Sequence, residues 1–305
     1  MVPRIAVLLA TYNGRTWLAD QMDSILNQTD VDVHIIALDD GSTDGTVEWL
    51  AERAEREPRL TVLPTESASG SSAANFFRLV ERADVSNADY VAFADQDDLW
   101  RPRKLVSQVA QLQDRSASGV SSSVMSFTPD GTQTLIRKDF PQREFDYLTE
   151  SPGPGCSFLM TQELVEIIRS VLEREPLARA ADFHDSLIYV IARAAGLTWH
   201  IDGEPTVEYR QHDGNVMGAN VGASSALSRL TLIREHWHRN QAIVHAKVGL
   251  SVASDSTRPG LTRMLELLES RRVRDRWALA RRSTQMRRRP RDRRIIGLLI
   301  ATGIW

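Results

Sequence analysis

The chain has 305 residues, 42% hydrophobic and 25% charged, which excludes a disordered, collagen-like or coiled-coil protein and allows one large domain or two ordinary ones. One cysteine, Cys156, excludes an intrachain disulfide and a thiolate-rich zinc site, and suits a reducing cytoplasm. The formal charge of −3 argues little by itself, because residues 271–294 hold twelve arginines against Asp275 and Asp292, a local +10 that leaves −13 on the rest.

Arg4–Ala10 reads as a buried strand, and Leu18, Met22 and Ile25 follow at helical spacing. Val33–Leu38 reads as a second strand, closed by a polar turn from Asp39 to Thr43. Val47, Leu50, Ala51 and Ala54 then mark a helix face. Arg59–Leu63 is a short third strand, and Ala73, Phe76, Phe77 and Val80 mark the core side of another helix. Tyr90–Ala94 is a fourth strand. Pro102 suits the first turn of the next helix, with Leu105, Val109 and Leu112 inside. Beyond 116 the pattern is less regular, with a breaker cluster from Pro152 to Gly155. Helices are expected near 161–173 and 182–195, a strand pair near 197–210, and helical structure after 224, broken at Arg258-Pro259-Gly260. The apolar run Ile5–Ala10 is too short for a secretory signal. No stretch reaches the roughly 18 apolar residues that span a bilayer.

Alternation of strands and helices predicts an α/β fold, a mostly parallel sheet with helices on both faces. Ligands of such sheets bind beyond the carboxyl ends of the strands. Three polar clusters should therefore converge there: Thr11–Gly14, Asp39–Thr43 and Asp95–Asp98.

Asp95-Gln96-Asp97-Asp98 places three carboxylates in four residues directly after a strand. Their mutual repulsion is offset where a divalent cation or a ligand's hydroxyls are bound, and hard oxygen donors favour Mg²⁺ or Mn²⁺. The competing interpretation is a solvated acidic turn before the next helix. In Asp39-Asp40-Gly41-Ser42-Thr43-Asp44, Ser42 or Asp44 suits helix capping and Gly41 a tight turn, which leaves a spare carboxylate. Asp40 is then available to a base N–H or a ribose hydroxyl; read alone, the segment is equally well a cap and a turn.

Together, Ala10-Thr11-Tyr12-Asn13-Gly14, Asp39–Thr46 and Phe93–Trp100 resemble the nucleotide-sugar-binding signatures of the family 2 glycosyltransferases. Gly155-Cys156-Ser157, His184-Asp185 and Tyr209-Arg210-Gln211-His212, with Asn215 and Gly218, resemble the bacterial rhamnosyltransferase-like branch. The resemblance runs from residue 4 to about 220 and implies a GT-A fold and an inverting, metal-dependent sugar transfer. It implies a division into a GT-A domain over 1–222, with a nucleotide-binding half at 1–115 and an acceptor-binding half at 116–222, and a helical Arg-rich extension over 223–305. Tyr12 and Asp40 would hold a pyrimidine base, with Thr11, Asn13 and Asn75 nearby. Asp95 would bind ribose, with Asp98 beside it on the donor. Asp97 and His212 would hold Mg²⁺ or Mn²⁺ on the diphosphate. Asp185 would be the base that deprotonates the acceptor. Trp100, Gly155, Cys156 and His184 would line the acceptor side. Ser186-Leu187 departs from the aromatics that relatives often carry after His-Asp, which bears on the acceptor more than on the base.

The resemblance makes a nucleoside diphosphate sugar the donor, with dTDP-rhamnose the first expectation and a UDP-hexose or UDP-N-acetylhexosamine the second. The acceptor is expected to be a glycan or lipid-linked hydroxyl in cell-surface polysaccharide synthesis. Two other classes compete: a sugar nucleotidyltransferase, disfavoured by the single Gly and single Arg in Thr11–Thr16, and a non-catalytic nucleotide-sugar-binding module. The arginine run is followed by the apolar stretch Ile295–Trp305. It suits a peripheral contact with an anionic membrane face, a homo-oligomer contact, or packing on the body; nucleic acid is not expected, because no reading motif accompanies the charge.

Overall fold

The computed structural model describes residues 1–65, 67–212 and 236–305. The expected boundary at 222/223, and Asn215 and Gly218, lie outside the described residues. The chain divides into two compact units. Met1–Asp139, Gly153–Leu172 and Thr198–Asp213 form the first; Phe140–Pro152, Glu173–Leu197 and Gly214–Trp305 form the second.

The first unit follows the alternation read from the sequence. Its elements begin β1 (Arg4–Thr11), α1 (Leu18–Leu26), β2 (Asp32–Asp39), α2 (Thr46–Ala54), β3 (Leu60–Leu63), α3 (Ser72–Arg82) and β4 (Tyr90–Ala94). They continue with β5 (Leu99–Trp100), α4 (Lys104–Asp114), β6 (Gly119–Ser122), β7 (Val124–Phe127), β8 (Gln133–Ile136), β9 (Leu159–Thr161) and α5 (Gln162–Arg174). Two later strands complete the unit, β10 (Trp199–Asp202) and β11 (Val207–Arg210).

A seven-stranded sheet has the order β10-β6-β9-β4-β1-β2-β3, and β9 alone runs against its neighbours. β1 is buried along all but its first residue, as expected for a central parallel strand covered on both faces. The register pairs Thr11 with Asp39 and Leu9 with Ala94, so β1, β2 and β4 deliver their following loops to one edge. α3 is capped by Ser71, whose side chain accepts from the Ala74 N–H, and buries Phe76 and Phe77 as anticipated; Phe76 stacks on Phe93 of β4 with centroids 5.0 Å apart. α4 starts at Lys104, two residues beyond Pro102.

The segment near 197–210 does not form a hairpin. β10 joins the large sheet parallel to β6, whereas β11 joins a second sheet of order β5-β11-β7-β8. Pro205 lacks an N–H for a hairpin ladder, and Asp202 Oδ1 instead turns the chain by accepting from the Glu204 N–H at 3.1 Å. β11 then pairs antiparallel with β5 and parallel with β7, which carries the residues after it to the Asp95–Asp98 loop.

The second unit is helical in its described part: α6 (His184–Ala194), α7 (Trp237–Val252), α8 (Arg258–Glu269), α9 (Val273–Arg281), α10 (Ser283–Met286) and α11 (Pro290–Thr302). Arg258-Pro259-Gly260 opens α8 rather than breaking a helix; proline costs little in a first turn, where its missing N–H has no partner to lose. No described helix is long and apolar enough to cross a membrane.

Candidate active site

The loop after β2 is fastened by Asp39. Its carboxylate accepts from Thr11 Oγ1 (2.8 Å), the Gly41 and Ser42 N–H groups (2.9 and 2.7 Å) and Ser42 Oγ (2.5 Å). Four donors leave this buried side chain with a structural task. Asn13, at a left-handed φ of 49°, joins the first and second loops: its N–H donates to Ser42 Oγ at 2.7 Å and its Oδ1 accepts from the Thr43 N–H at 2.9 Å. Asp44, one of the two expected caps, accepts from the Thr46 N–H at 3.1 Å at the start of α2.

Asp40 faces a third loop. Its carboxylate accepts from the N–H groups of Ser69 and Gly70, and Arg78 approaches to 3.7 Å. The Tyr12 side chain is 57% exposed, open to stacking, while its backbone exchanges hydrogen bonds of 2.7 and 2.8 Å with the Gln96 amide. Gly14 makes room for that amide, since a Cβ there would meet Gln96 Oε1 at 2.2 Å. Asn75 is buried; its Nδ2 donates to Leu38 O at 3.1 Å, and its Oδ1 has no hydrogen-bond partner.

The acidic loop after β4 is gripped from β11. Arg210 N–H donates to Asp98 Oδ1 at 3.0 Å, and Arg210 Nε donates to the Asp97 carbonyl at 2.8 Å. His212 Nε2 lies 2.7 Å from Asp97 Oδ2, and its ring stacks on Trp17 with centroids 4.1 Å apart. Asp98 is fully buried. Burial first, and then the charges of Asp97 and Asp95, push its carboxyl well above the ordinary range. Its Oδ2 lacks a hydrogen-bond partner. Asp95, Asp98 and Cys156 bring one ligand atom each within 4.8 Å of one another. Burial first, and then the neighbouring Asp98 and Asp95, push the Cys156 thiol up, so it remains an S–H and does not add a thiolate.

The carboxylates of Asp95 and Asp98 suit a hard divalent cation, with Asp97 on the same loop paired separately to His212, and the Asp98 oxygen without a hydrogen-bond partner is the kind of atom such an ion would satisfy. Trp100 is buried beside this loop, its N–H donating to Ser24 Oγ at 3.0 Å and its indole N–H without a partner. Gly155 and Cys156 lie in a buried 3₁₀ turn ending at Ser157. The first unit thus gathers Tyr12, Asn13, Asp40, Asp95, Asp97, Asp98 and His212 on loops at or near one sheet edge, with Thr11 at the end of β1 and Asn75 in the first turn of α3.

His184 and Asp185 belong to the second unit, in the first turn of α6. Burial pushes the His184 imidazole down to about 3, so it is neutral. Asp185 is half-buried; its Oδ1 accepts from the Ser186 N–H at 2.6 Å, while Leu187, Ile188 and Ile191 anchor the helix below it.

Sequence reading missed Trp17, Gln96, Lys104 and Arg210. Arg210 lay within a quoted motif but carried no assigned role. Trp17 precedes an amphipathic helix, and nothing local places it against a residue almost two hundred positions later. Lys104 is fully buried, with its ammonium 4.1 Å from the Trp100 ring and 2.9 Å from Gln108 Oε1; burial pulls its pKa to about 7.

A mostly parallel sheet with this acidic edge defines a GT-A type of α/β protein, and solved structures share that fold. One is Staphylococcus aureus TarS in complex with UDP-GlcNAc (TM-score 0.55, 12% identity, covering 98% of this chain and 92% of that one). Another is the mannosyltransferase PcManGT from Pyrobaculum calidifontis in complex with GDP-Man and Mn²⁺ (TM-score 0.50, 18% identity, covering 99% and 87%). In sequence, the profile for glycosyl transferase family 2 matches residues 6–173. The dTDP-rhamnosyl transferase RfbG of Shigella flexneri is 36% identical over 250 residues, which is 81% of this chain and 86% of that protein. The chain belongs to glycosyl transferase family 2.

Proposed function

We propose that the protein transfers rhamnose from dTDP-rhamnose, with inversion, to a hydroxyl of a glycan or lipid-linked acceptor during cell-surface polysaccharide synthesis at the cytoplasmic face of the membrane. The observation that supports a transferase reading is the acidic loop at the carboxyl edge of the sheet, where Asp95 and Asp98 converge beside Cys156 and Asp97 pairs with His212. The choice of donor is supported by the similarity to RfbG over most of both chains.

Tyr12 and Asp40 orient the base and Asp95 the ribose, with Thr11, Asn13, Asn75 and Asp98 completing the donor side. Asp97 and His212 would hold Mg²⁺ or Mn²⁺, which when bound supplies positive charge against the leaving diphosphate. Asp185 accepts the proton of the acceptor hydroxyl as that oxygen attacks the anomeric carbon. Trp100, Gly155, Cys156 and His184 shape the acceptor side. Under this proposal the transferase domain runs to residue 222 and a helical, Arg-rich extension follows it.

The test is a thermal-shift and transfer screen of dTDP-rhamnose against UDP-hexoses and UDP-N-acetylhexosamines, with and without Mn²⁺. dTDP-rhamnose should raise the melting temperature most, since a ligand that binds only the folded state stabilises it by mass action. Asp97→Ala should remove the Mn²⁺-dependent part of that shift and abolish transfer. A stronger response to a UDP-sugar would replace the donor. No response to any donor would replace catalysis with a non-catalytic role.

A further inference from the structure

We propose that α9 and α11 dock the protein on an anionic lipid bilayer through their outward faces. The twelve arginines of residues 271–294 do not act as one cloud of charge. Arg288 is buried with Asp146 and Glu150. Arg276 lies against Gly303, where a Cβ would meet its Nη1 at 2.7 Å. Arg293 Nε donates to the Arg287 carbonyl at 2.9 Å. These side chains build the fold. Arg281, Arg291 and Arg294 are exposed instead.

The exposed arginines share helix faces with exposed apolar side chains. On α11, Arg294 and Ile295 lie three and four residues after Arg291, and Leu298 lies four and three residues after them, along one stripe. Ile295 is 46% exposed and Leu298 66%. Ile296 and Ile300, on the opposite stripe, are buried. On α9, Trp277 is 51% exposed between Val273 and Arg281, each four residues away, while Leu279 points inward. α9 packs against α11, and Gly297 admits the close approach of α10 to α11, since a Cβ there would meet Ser283 Oγ at 2.7 Å.

Two stripes that mix arginine with tryptophan, isoleucine and leucine match the boundary between phosphate headgroups and acyl chains. Guanidinium groups pair with lipid phosphates, and the indole settles at the interface. A second copy of this chain is the poorer occupant. A two-fold contact sets the same patch against itself, so two surfaces of like positive charge would be brought together. The inference stands on these side chains and not on the donor assignment, and its test reads no activity.

The full chain is sedimented with vesicles of phosphatidylcholine containing phosphatidylglycerol, and with phosphatidylcholine alone. Binding should require the anionic lipid and weaken in high salt, because exposed charges are screened. Arg281→Gln/Arg291→Gln/Arg294→Gln should lower vesicle affinity on the order of a hundredfold, at about fivefold per arginine. Trp277→Ser/Leu298→Ser should also release the protein, with thermal melts confirming that both variants fold. Equal binding to the two vesicle types, no binding to the anionic ones, or affinity unchanged in both variants would overturn the proposal. So would a dimer in solution that Leu298→Glu dissociates, because the stripe would then be covered by a second copy. Donor thermal shifts measured on the same variants should stay at the wild-type value, which keeps failure of docking separate from failure of the donor assignment.

Discussion

Trp17 and His212 lie face to face, their ring centroids 4.1 Å apart and their planes at 22°. Trp17 sits at the entry to α1, and His212 follows β11, the strand that pairs with β5 instead of β10. The stack leaves His212 Nε2 directed at Asp97 Oδ2, 2.7 Å away. An indole face therefore fixes the plane of an imidazole, and the imidazole fixes a carboxylate of the acidic loop.

Trp17→Ala should free the His212 ring, raising donor KM and the Mn²⁺ concentration needed for half-maximal rate. An aromatic pair contributes about 0.5–1.5 kcal/mol, so the rise should be about two- to tenfold. Trp17→Phe keeps a stacking face and should recover most of it. Initial rates against donor and against Mn²⁺ provide the check. Wild-type values in Trp17→Ala would reduce the stack to ordinary packing.

Asp185→Asn keeps the size of the side chain and removes its ability to accept a proton. Turnover should fall by about 10²–10⁴-fold, the usual contribution of a positioned base. The thermal shift with donor should be unchanged, because the proposed donor contacts are assigned to other residues. Near-normal kcat would remove Asp185 from the mechanism and leave it as the first-turn residue of α6 that accepts from Ser186.

The parts of the fold legible in the sequence are those set by local period. β1, β2 and β4 are continuous apolar runs, and the polar residues after each stand where a parallel sheet presents ligands. What stayed hidden depends on long-range pairing. Nothing within 197–210 says that its second strand leaves the large sheet for β5, yet that choice brings Arg210 and His212 to the acidic loop. The division of labour between Asp39 and Asp40 was half legible. A spare carboxylate was evident from the excess of polar groups over capping needs; that Asp39 is consumed by four donors required the turn itself.

Lys104 gives a pH signature. Burial lowers its folded-state pKa to about 7 from an ordinary 10.5. Between those values the unfolded chain holds a proton that the folded one lacks, so stability should rise with pH across this window; below about 7 both states are protonated and the slope vanishes. The slope should be on the order of 1 kcal/mol per pH unit. Lys104→Met, which fits the same apolar slot, should lack it. The comparison belongs between pH 7 and about 8, below the ordinary cysteine range, because the buried Cys156 thiol pulls the opposite way above it. Urea melts of the two proteins that run parallel in this range would show that the buried ammonium keeps its proton.

Arg288 supplies the last test, because it decides whether the arginine run belongs to the fold. It is 2% exposed, with Nη1 3.5 Å from Asp146 Oδ2 and Nη2 3.3 Å from Glu150 Oε2; Arg193 Nη1 reaches Asp146 Oδ1 at 3.3 Å. Burial still raises the Asp146 carboxyl above its ordinary pKa, against the pull of both guanidinium groups. The network is therefore held by mutual pairing and not by a large net gain. Removing Arg288 leaves the buried Asp146 carboxylate with Arg193 as its remaining guanidinium, an under-paired charge that costs up to about 3–5 kcal/mol. Arg288→Met should lose stability toward that range in urea unfolding. Adding Asp146→Asn should recover part of the loss, since the under-paired charge is gone. A single Arg288→Met variant within about 1 kcal/mol of wild type, the range of an exposed ion pair, would show instead that the segment merely rests on the surface of its unit.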